Sequence, residues 1–239
     1  MEIERKRNLS RKNISLILKI LTIISSFTGI ICSFVFASEE GYSSWYIRGA
    51  YFTLQSNFWI SGLMLYMIIA PLIKSKINDS LVYFFKFIFT VSITLTFIVF
   101  WTLLAPFAYM QNYNPWSISS FTTHLLAPAL AIIDFFVDEK QTIITKKQVF
   151  SGLLPPLFYF VFASVLMLFR VDFGRGDLYP YFFMDFFSSA GWFGVVKDPF
   201  VLGTGYYLIF ISGVVLGVSA LLSVAHSLLL KFSKKQKND

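Results

Sequence analysis

The sequence has few charged residues for its length. Charged residues make up 14% of its 239 positions, while hydrophobic residues make up 56% and the mean hydropathy is +0.67. A soluble domain carries about 25% charged residues. The low charge and the high apolar content exclude a soluble globular enzyme, a disordered tail and a fibrous protein.

Cysteine and histidine are also scarce, which limits the chemistry that the chain can perform. Cys32 is the only cysteine, so no intrachain disulfide and no site of several cysteines can form. The sequence has no HExxH motif and no cluster of cysteine and histidine, so we expect no zinc. The Walker, GxSxG and SxxK motifs are absent as well. We therefore expect neither a metal ion nor a cofactor.

What the chain does contain is long apolar runs. A bilayer core of about 30 Å needs roughly 20 apolar helical residues. Six runs meet this length, at about 14–37, 50–73, 81–109, 117–137, 148–169 and 201–230. They predict an all-α, polytopic integral membrane protein with six transmembrane helices in a single domain, 1–239. The first run is too long for a signal peptide and predicts a retained helix.

The positions of the basic residues predict the orientation of this bundle. Fourteen lysines and arginines lie at the two termini and in the second and fourth connections, and four lie in the other connections. Because lysine and arginine accumulate in cytoplasmic loops, both termini are expected in the cytoplasm. Lys19 and Lys86 lie within runs, and we expect their long side chains to reach the cytoplasmic interface.

The net charge of +7 therefore indicates topology, not a nucleic-acid partner. No basic groove with interleaved aromatic residues accompanies it. The absence of a transit peptide favours a plasma membrane. The abundance of Phe, Ile and Lys is typical of a bacterial protein from an AT-rich genome. The sequence leaves the oligomeric state open.

Polar residues form a stripe on two of the predicted helices. The second helix has Thr53, Ser56, Asn57 and Ser61 at helical spacing, and the fourth has Ser117, Ser120, His124 and Pro128. One explanation is packing, since small polar residues commonly link transmembrane helices. The other explanation is a functional site within the membrane.

Depth within the membrane favours a site at Thr53 and His124. Both helices enter from the outer side, which places Thr53 roughly 7 Å and His124 roughly 10 Å below the surface. A threonine hydroxyl becomes a nucleophile when a base accepts its proton, and histidine is the usual base. The pair can act in this way if the two helices are neighbours.

Two further ionisable residues receive structural interpretations. Asp134 lies about 15 Å along the helix from His124, too far to orient its ring. We expect it at the cytoplasmic interface or paired with a lysine. His226 is expected to be an interfacial or packing residue.

The connection 170–200 is aromatic and contains both glycine and proline. It predicts a cavity wall or lid above the Thr53 level, or an interfacial aromatic belt. In the sixth helix, Gly213 and Gly217 form a GxxxG motif, which we expect to pack inside the bundle.

Three short patterns together resemble the androgen-induced-gene-like family of integral membrane proteins. They are Tyr-Phe-Thr at 51–53, His124 followed ten residues later by Asp134, and Tyr-Pro-Tyr-Phe at 179–182. Their order and spacing match over about 45–190. Two features differ from the animal members: the proline after the histidine is one position nearer, and Asp134 replaces a glutamate.

The resemblance implies a membrane hydrolase that cleaves fatty acid esters of hydroxy fatty acids. Thr53 would be its nucleophile and His124 its base. Separately from the resemblance, the candidates for binding the substrate are Gln55, Asn57, Tyr179 and Tyr181. The amide chemistry of Gln55 and Asn57 suits a donor to the oxyanion. The expected partner is a membrane lipid or another acyl ester. Two alternatives remain: a non-catalytic protein that binds a lipid or partner in the same cavity, and a small-solute transporter. Matching broken helices in two halves would favour the transporter, and the sequence shows no such repeat.

Overall fold

A computed structural model describes residues 2–74, 78–107, 113–138, 142–174, 176–198 and 200–238, with only the backbone described for 2–8 and 232–238. The described chain contains six helices that are long and apolar enough to cross a membrane. These candidate spans are Leu9–Val35, Phe52–Leu72, Asp79–Phe107, Ile118–Val137, Lys146–Leu168 and Thr204–Lys231. The prediction of an all-α polytopic membrane protein is confirmed.

Several spans are composed of shorter segments. The α-helices are α1 (Glu2–Val35), α2 (Phe52–Leu72), α3 (Asp79–Val99), α4 (Ile118–Phe121), α5 (Ala127–Val137), α6 (Lys146–Val149), α7 (Leu154–Leu168) and α8 (Thr204–Asn238). Two π turns extend or join them, at Phe100–Leu104 and Thr122–Leu126. 3-10 helices lie at Trp45–Ala50, Phe150–Leu153 and Phe182–Met184, and 105–107 also has 3-10 conformation.

Local sequence explains where the helices begin. Asn78 and Ser117 cap α3 and α4 by accepting hydrogen bonds from the backbone N–H groups of Leu81 and Ser120. Thr145 and Gln148 form a capping box at α6. Prolines occupy the first turns of α5 and α7, where a missing backbone N–H costs little.

The helices pack around α3, which contacts α2, α5, α7 and α8. On one side of it, α1 packs against α2, α4, α5 and the second π turn. This arrangement makes the second and fourth spans neighbours. They meet near the N-terminus of α2, at what we call the site end of the bundle.

The connection between α7 and α8 contains a short antiparallel hairpin, β1 (Val195–Lys197) and β2 (Phe200–Leu202), in which Val195 pairs with Leu202. Because β2 occupies 200–202, α8 begins at Thr204, not at the predicted 201. Trp192, Phe193 and Phe200 are exposed on this segment. Such rings are suited to a membrane interface.

At the opposite end, two lysines and two aspartates form a buried ionic cluster. Lys19 Nζ lies 3.1 Å from carboxylate oxygens of Asp134 and Asp138, and Ser15 Oγ donates to Asp134 at 2.5 Å. Lys86 Nζ contacts both carboxylates as well. Lys19 and Lys86 are buried, and the carboxylates neutralise their charges inside the bundle, so neither side chain extends into solvent as expected. The expected pairing of Asp134 with lysine is confirmed.

The structure confirms the prediction for His226 but not the prediction for the GxxxG motif. His226 is fully buried, with its ring centroid 5.3 Å from that of Tyr83 and 5.5 Å from that of Phe135, so it is a packing residue. A Cβ added at Gly213 or Gly217 would meet no atom of the described chain within 4 Å. The GxxxG motif therefore faces away from the bundle, and the expectation of internal packing is wrong.

Candidate active site

The structure brings Thr53 and His124 together at the site end of the bundle. Thr53 is the second residue of α2, and His124 lies in the π turn Thr122–Leu126. Thr53 Oγ1 lies 3.2 Å from His124 Nε2, although 71 positions separate the residues in the chain. Both side chains are buried. The second and fourth spans are therefore neighbours, as a reacting pair of Thr53 and His124 requires.

The contacts of the second ring nitrogen define the tautomer of His124. Its Nδ1 lies 3.0 Å from the backbone carbonyl oxygen of Ser120. A carbonyl oxygen only accepts hydrogen bonds, so Nδ1 of the neutral ring carries the hydrogen. Nε2 is then unprotonated and accepts from the Thr53 hydroxyl. This is the arrangement that a general base requires.

Both π turns contribute to the position of the imidazole. Phe100, the first residue of the turn Phe100–Leu104, stacks on His124 with ring centroids 3.6 Å apart and planes at 14°. Trp101 Nε1 donates to the carbonyl oxygen of His124 at 3.1 Å. Such turns are frequent at functional sites because the extra residue redirects side chains and frees a carbonyl.

Asn57 links the helix of the threonine to the helix of the histidine. Its Nδ2 donates to the carbonyl oxygens of Thr53 at 2.8 Å and of Thr123 at 3.1 Å, and its Oδ1 accepts from Ser26 at 3.1 Å. Gln55 Nε2 donates to the carbonyl of Gly49 at 3.3 Å. These contacts give both amides a structural role, and neither residue lines the two cavities described next. Substrate binding by Gln55 and Asn57 stays a prediction that these contacts do not favour.

Two cavities meet at Thr53. The polar cavity has a volume of about 420 Å³ and opens toward the connections of the site end. The apolar cavity is narrower, about 70 Å³, and extends between α3, α7 and α8. Its deeper wall consists of Leu95, Val99, Pro156, Phe160, Leu208 and Ile211. The residues that line both cavities are Thr53, Phe100, Leu104 and Tyr181.

Tyr181 lies where the two cavities join. Its phenol is next to the hydroxyl of Thr53 and the first backbone groups of α2, at Phe52 and Thr53. Burial raises the pKa of Tyr181 to about 12, so the phenol is protonated and can donate at physiological pH. Tyr179 also lines the polar cavity. Part of the connection 170–200 thus forms a cavity wall, while its exposed aromatic residues suit the predicted belt.

A buried arginine forms another part of the polar cavity. Arg48 pairs with Glu40 at 3.0 Å, contacts Ser33 Oγ at 3.4 Å and lies over the ring of Tyr42, with Cζ 4.4 Å from its centroid. Burial opposes the charge of Arg48, but Tyr42 and Glu40 outweigh it and raise the pKa of the guanidinium. The side chain is therefore a permanent cation.

Sequence reasoning missed the residues that support the pair. Phe100 is one of 29 phenylalanines, and nothing in the sequence distinguishes it from the others. Arg48 was counted only as a charge for topology. Among the described residues, no group of three His, Cys, Asp or Glu is placed to hold a metal ion.

Comparisons with protein-family models, with curated proteins and with solved structures find no match to this chain. The resemblance carried by residues 51–53, His124, Asp134 and 179–182 therefore stays a prediction. The resemblance includes the pair His124 and Asp134, but Asp134 lies in the ionic cluster at the other end of the bundle. The two residues therefore do not form one site.

Proposed function

We propose that this protein is an intramembrane hydrolase of acyl esters, with Thr53 as its nucleophile and His124 as its base. The observation that carries the proposal is the Thr53 hydroxyl, which lies 3.2 Å from Nε2 of His124 at the junction of two cavities. A nucleophile, a base and a group that orients the base are the parts of a covalent hydrolase. Here the orienting group is the carbonyl of Ser120.

The reaction proceeds in two halves. Thr53 Oγ1 attacks the carbonyl carbon of the ester as its proton passes to His124 Nε2. The carbon–oxygen bond of the ester then breaks, and Nε2 returns the proton to the departing alcohol. Water attacks the acyl-threonine, with Nε2 again accepting a proton that it finally gives to Thr53 Oγ1. The fatty acid leaves and the free threonine is restored.

The negative oxygen of each tetrahedral intermediate needs hydrogen-bond donors. The Tyr181 phenol is a protonated donor next to Thr53. Thr53 also lies in the first turn of α2, a helix of 21 residues whose N-terminus carries partial positive charge. Donors fixed before the reaction stabilise such an oxyanion more strongly than water does.

The two cavities fit the two parts of a lipid ester. The apolar cavity accommodates the acyl segment next to the ester, and the polar cavity accommodates the alcohol part and admits water. α8 packs on the 3-10 helix Phe150–Leu153 before α7, while α7 and α8 are barely in contact elsewhere. The rest of an acyl chain can extend between these two helices into the bilayer.

The proposed location is a plasma membrane, with both termini in the cytoplasm and the site end in the outer half. The distribution of lysine and arginine in the sequence supports this orientation. The family resemblance supports the threonine chemistry. The hydroxy-fatty-acid ester that it implies is one substrate to include in a screen.

The test is covalent labelling of the detergent-solubilised protein with a fluorophosphonate probe. We expect labelling of the natural protein and none of Thr53→Ala or His124→Ala. Thr102→Ala is the matched control, because Thr102 lies in the π turn of Phe100 with an exposed hydroxyl that donates to Ile98. Labelling that persists in Thr53→Ala, or that is absent in a folded natural protein, contradicts the proposal and favours a lipid-binding protein without turnover.

A further inference from the structure

Two successive carbonyl groups in the π turn that contains His124 lack the donors that an α-helix would supply. The backbone N–H of Ala127 donates to the carbonyl oxygen of Thr122, five residues back, and not to that of Thr123. The residue four positions after His124 is Pro128, which has no N–H. Thr123 and His124 are both buried, and a buried carbonyl without a partner is costly. The turn therefore depends on donors from other parts of the protein.

Side chains of two other spans supply these donors. Asn57, which lies in α2 and is fully buried, donates from Nδ2 to the carbonyl oxygen of Thr123 at 3.1 Å. Trp101, in the π turn Phe100–Leu104, donates from Nε1 to the carbonyl oxygen of His124 at 3.1 Å. Each side chain replaces a missing main-chain N–H. Together they stabilise a turn that holds one residue more than an α-helix does.

The amide of Asn57 also contacts the backbone of the proposed nucleophile. The same Nδ2 donates to the carbonyl oxygen of Thr53 at 2.8 Å, so one amide group joins Thr53 to the residue before His124. Its Oδ1 accepts a hydrogen bond from Ser26 at 3.1 Å. Both hydrogens of Nδ2 and the amide oxygen are thus engaged, which favours a positioning role over contact with an oxyanion.

We propose that Pro128, Asn57 and Trp101 are positioning residues for the pair of Thr53 and His124. Pro128 withholds the N–H that would close a regular α-helix, and the two side chains hold the wider turn that directs Nε2 of His124 at Thr53. Each residue of an α-helix turns by about 100°, so loss of the extra residue would rotate the imidazole away from the hydroxyl. The inference rests on the proposed function for its effect on rate, whereas the position of the ring can be measured without a reaction.

Pro128→Ala separates positioning from stability. Alanine supplies the missing N–H and has a higher helix propensity, so we expect a melting temperature at or above that of the natural protein. The turn can then relax toward an α-helix, and fluorophosphonate labelling should slow by at least about tenfold, because small displacements of reacting groups are costly. A residue with only a structural role would not combine slower labelling with undiminished stability. Labelling at the natural rate, or a loss of labelling that follows a loss of stability, overturns the proposal.

Asn57→Leu and Trp101→Phe test the two donors. Both variants keep much of the side-chain volume and remove the N–H groups. We expect labelling to slow by at least about tenfold in Asn57→Leu, which frees two carbonyls, and by about threefold in Trp101→Phe. The matched control is Ser61→Ala, because Ser61 is also fully buried in α2 and donates to the carbonyl oxygen of Asn57 at 2.6 Å.

The control decides what a loss of labelling in these variants means. We expect Ser61→Ala to label at the natural rate, because no contact of its hydroxyl reaches the π turn. Equal losses in Ser61→Ala and Asn57→Leu would reveal a general effect of α2 and overturn the role of Asn57. If Asn57→Leu does not fold, Pro128→Ala and Trp101→Phe decide the proposal.

The ring of His124 reports the geometry of the turn without any reaction. The chain has two histidines, so nuclear magnetic resonance of isotopically labelled histidine nitrogens gives two sets of ring signals, which His124→Ala assigns. Thr53→Ala removes the hydrogen bond to Nε2 and defines the resulting shift of its signal. We expect a shift in the same direction in Pro128→Ala and Asn57→Leu. An unchanged signal in both overturns the proposal, whereas a shift in a protein that is not labelled retains the positioning and rejects the hydrolase.

Discussion

The carbonyl oxygen of Ser120 lies 3.0 Å from Nδ1 of His124, one helical turn away in the same segment. This contact fixes the hydrogen on Nδ1 and directs the free lone pair of Nε2 toward Thr53. In many hydrolases a carboxylate has this orienting role. In the proposed hydrolase a backbone carbonyl has this role, so the base needs no additional buried charge.

This relationship predicts that Ser120→Ala has a small effect on labelling. The substitution keeps the carbonyl and removes only the hydroxyl, whose oxygen is 3.1 Å from Nδ1. We expect the labelling rate to fall by less than about fivefold, whereas His124→Ala should lower it by at least about a hundredfold. The measurement is the time course of labelling. Equal losses in the two variants would show that the hydroxyl is the essential partner.

Tyr181→Phe tests the donor for the oxyanion. Loss of one such donor typically lowers kcat by about 10²–10³-fold. We expect a loss of this size with little change in KM, because the phenol acts on charge that develops only during the reaction. The measurement is steady-state hydrolysis of the ester that a substrate screen identifies, with Tyr46→Phe, at an exposed position outside both cavities, as the control. A change confined to KM would make Tyr181 a binding residue.

The same tyrosine predicts how stability depends on alkaline pH. Burial raises the pKa of Tyr181 to about 12, compared with about 10 in an unfolded chain. The folded state therefore holds this proton more tightly, so the stabilisation is complete below pH 10 and is lost as the pH rises toward 12. Melting temperatures at pH 9, 10 and 11 should fall less steeply in Tyr181→Phe than in the natural protein or in the exposed control Tyr46→Phe. Identical slopes would contradict the assignment.

Lys86→Met tests the ionic cluster. The substitution leaves Asp134 and Asp138 with one lysine in place of two, and an unpaired buried charge costs about 3–5 kcal/mol. We expect a large loss of thermal stability, which Lys86→Met combined with Asp138→Asn should partly restore. Lys147→Met, at an exposed position, should change little. Equal stability of the single and double variants would show that the charges are not coupled.

The six spans could be predicted from the sequence because they follow from hydropathy. The common depth of Thr53 and His124 could be predicted because the rise per helical residue is constant. It was insufficient wherever the helix neighbours decide the outcome. Lys19 and Asp134 are 115 positions apart, and no local pattern shows that they pair. The π turns at Phe100 and His124 were missed because one extra residue in a helix leaves an apolar run unchanged.

Gly29→Ala tests whether the support behind His124 matters for catalysis. Gly29 lies on α1, and a Cβ there would clash with the side chains of Thr122 and Thr123, in the π turn that holds the histidine. We expect slower labelling and lower stability, because relief of this clash shifts the turn that holds His124. At Gly62 of α2 the same Cβ meets nothing within 4 Å, so Gly62→Ala should be neutral or stabilising by about 0.5–1 kcal/mol through better helix propensity. Labelling rates and melting temperatures of the two variants separate the effects. Unchanged labelling in Gly29→Ala would mean that the Thr53–His124 geometry tolerates displacement of the turn, which conflicts with a reaction that depends on the 3.2 Å contact.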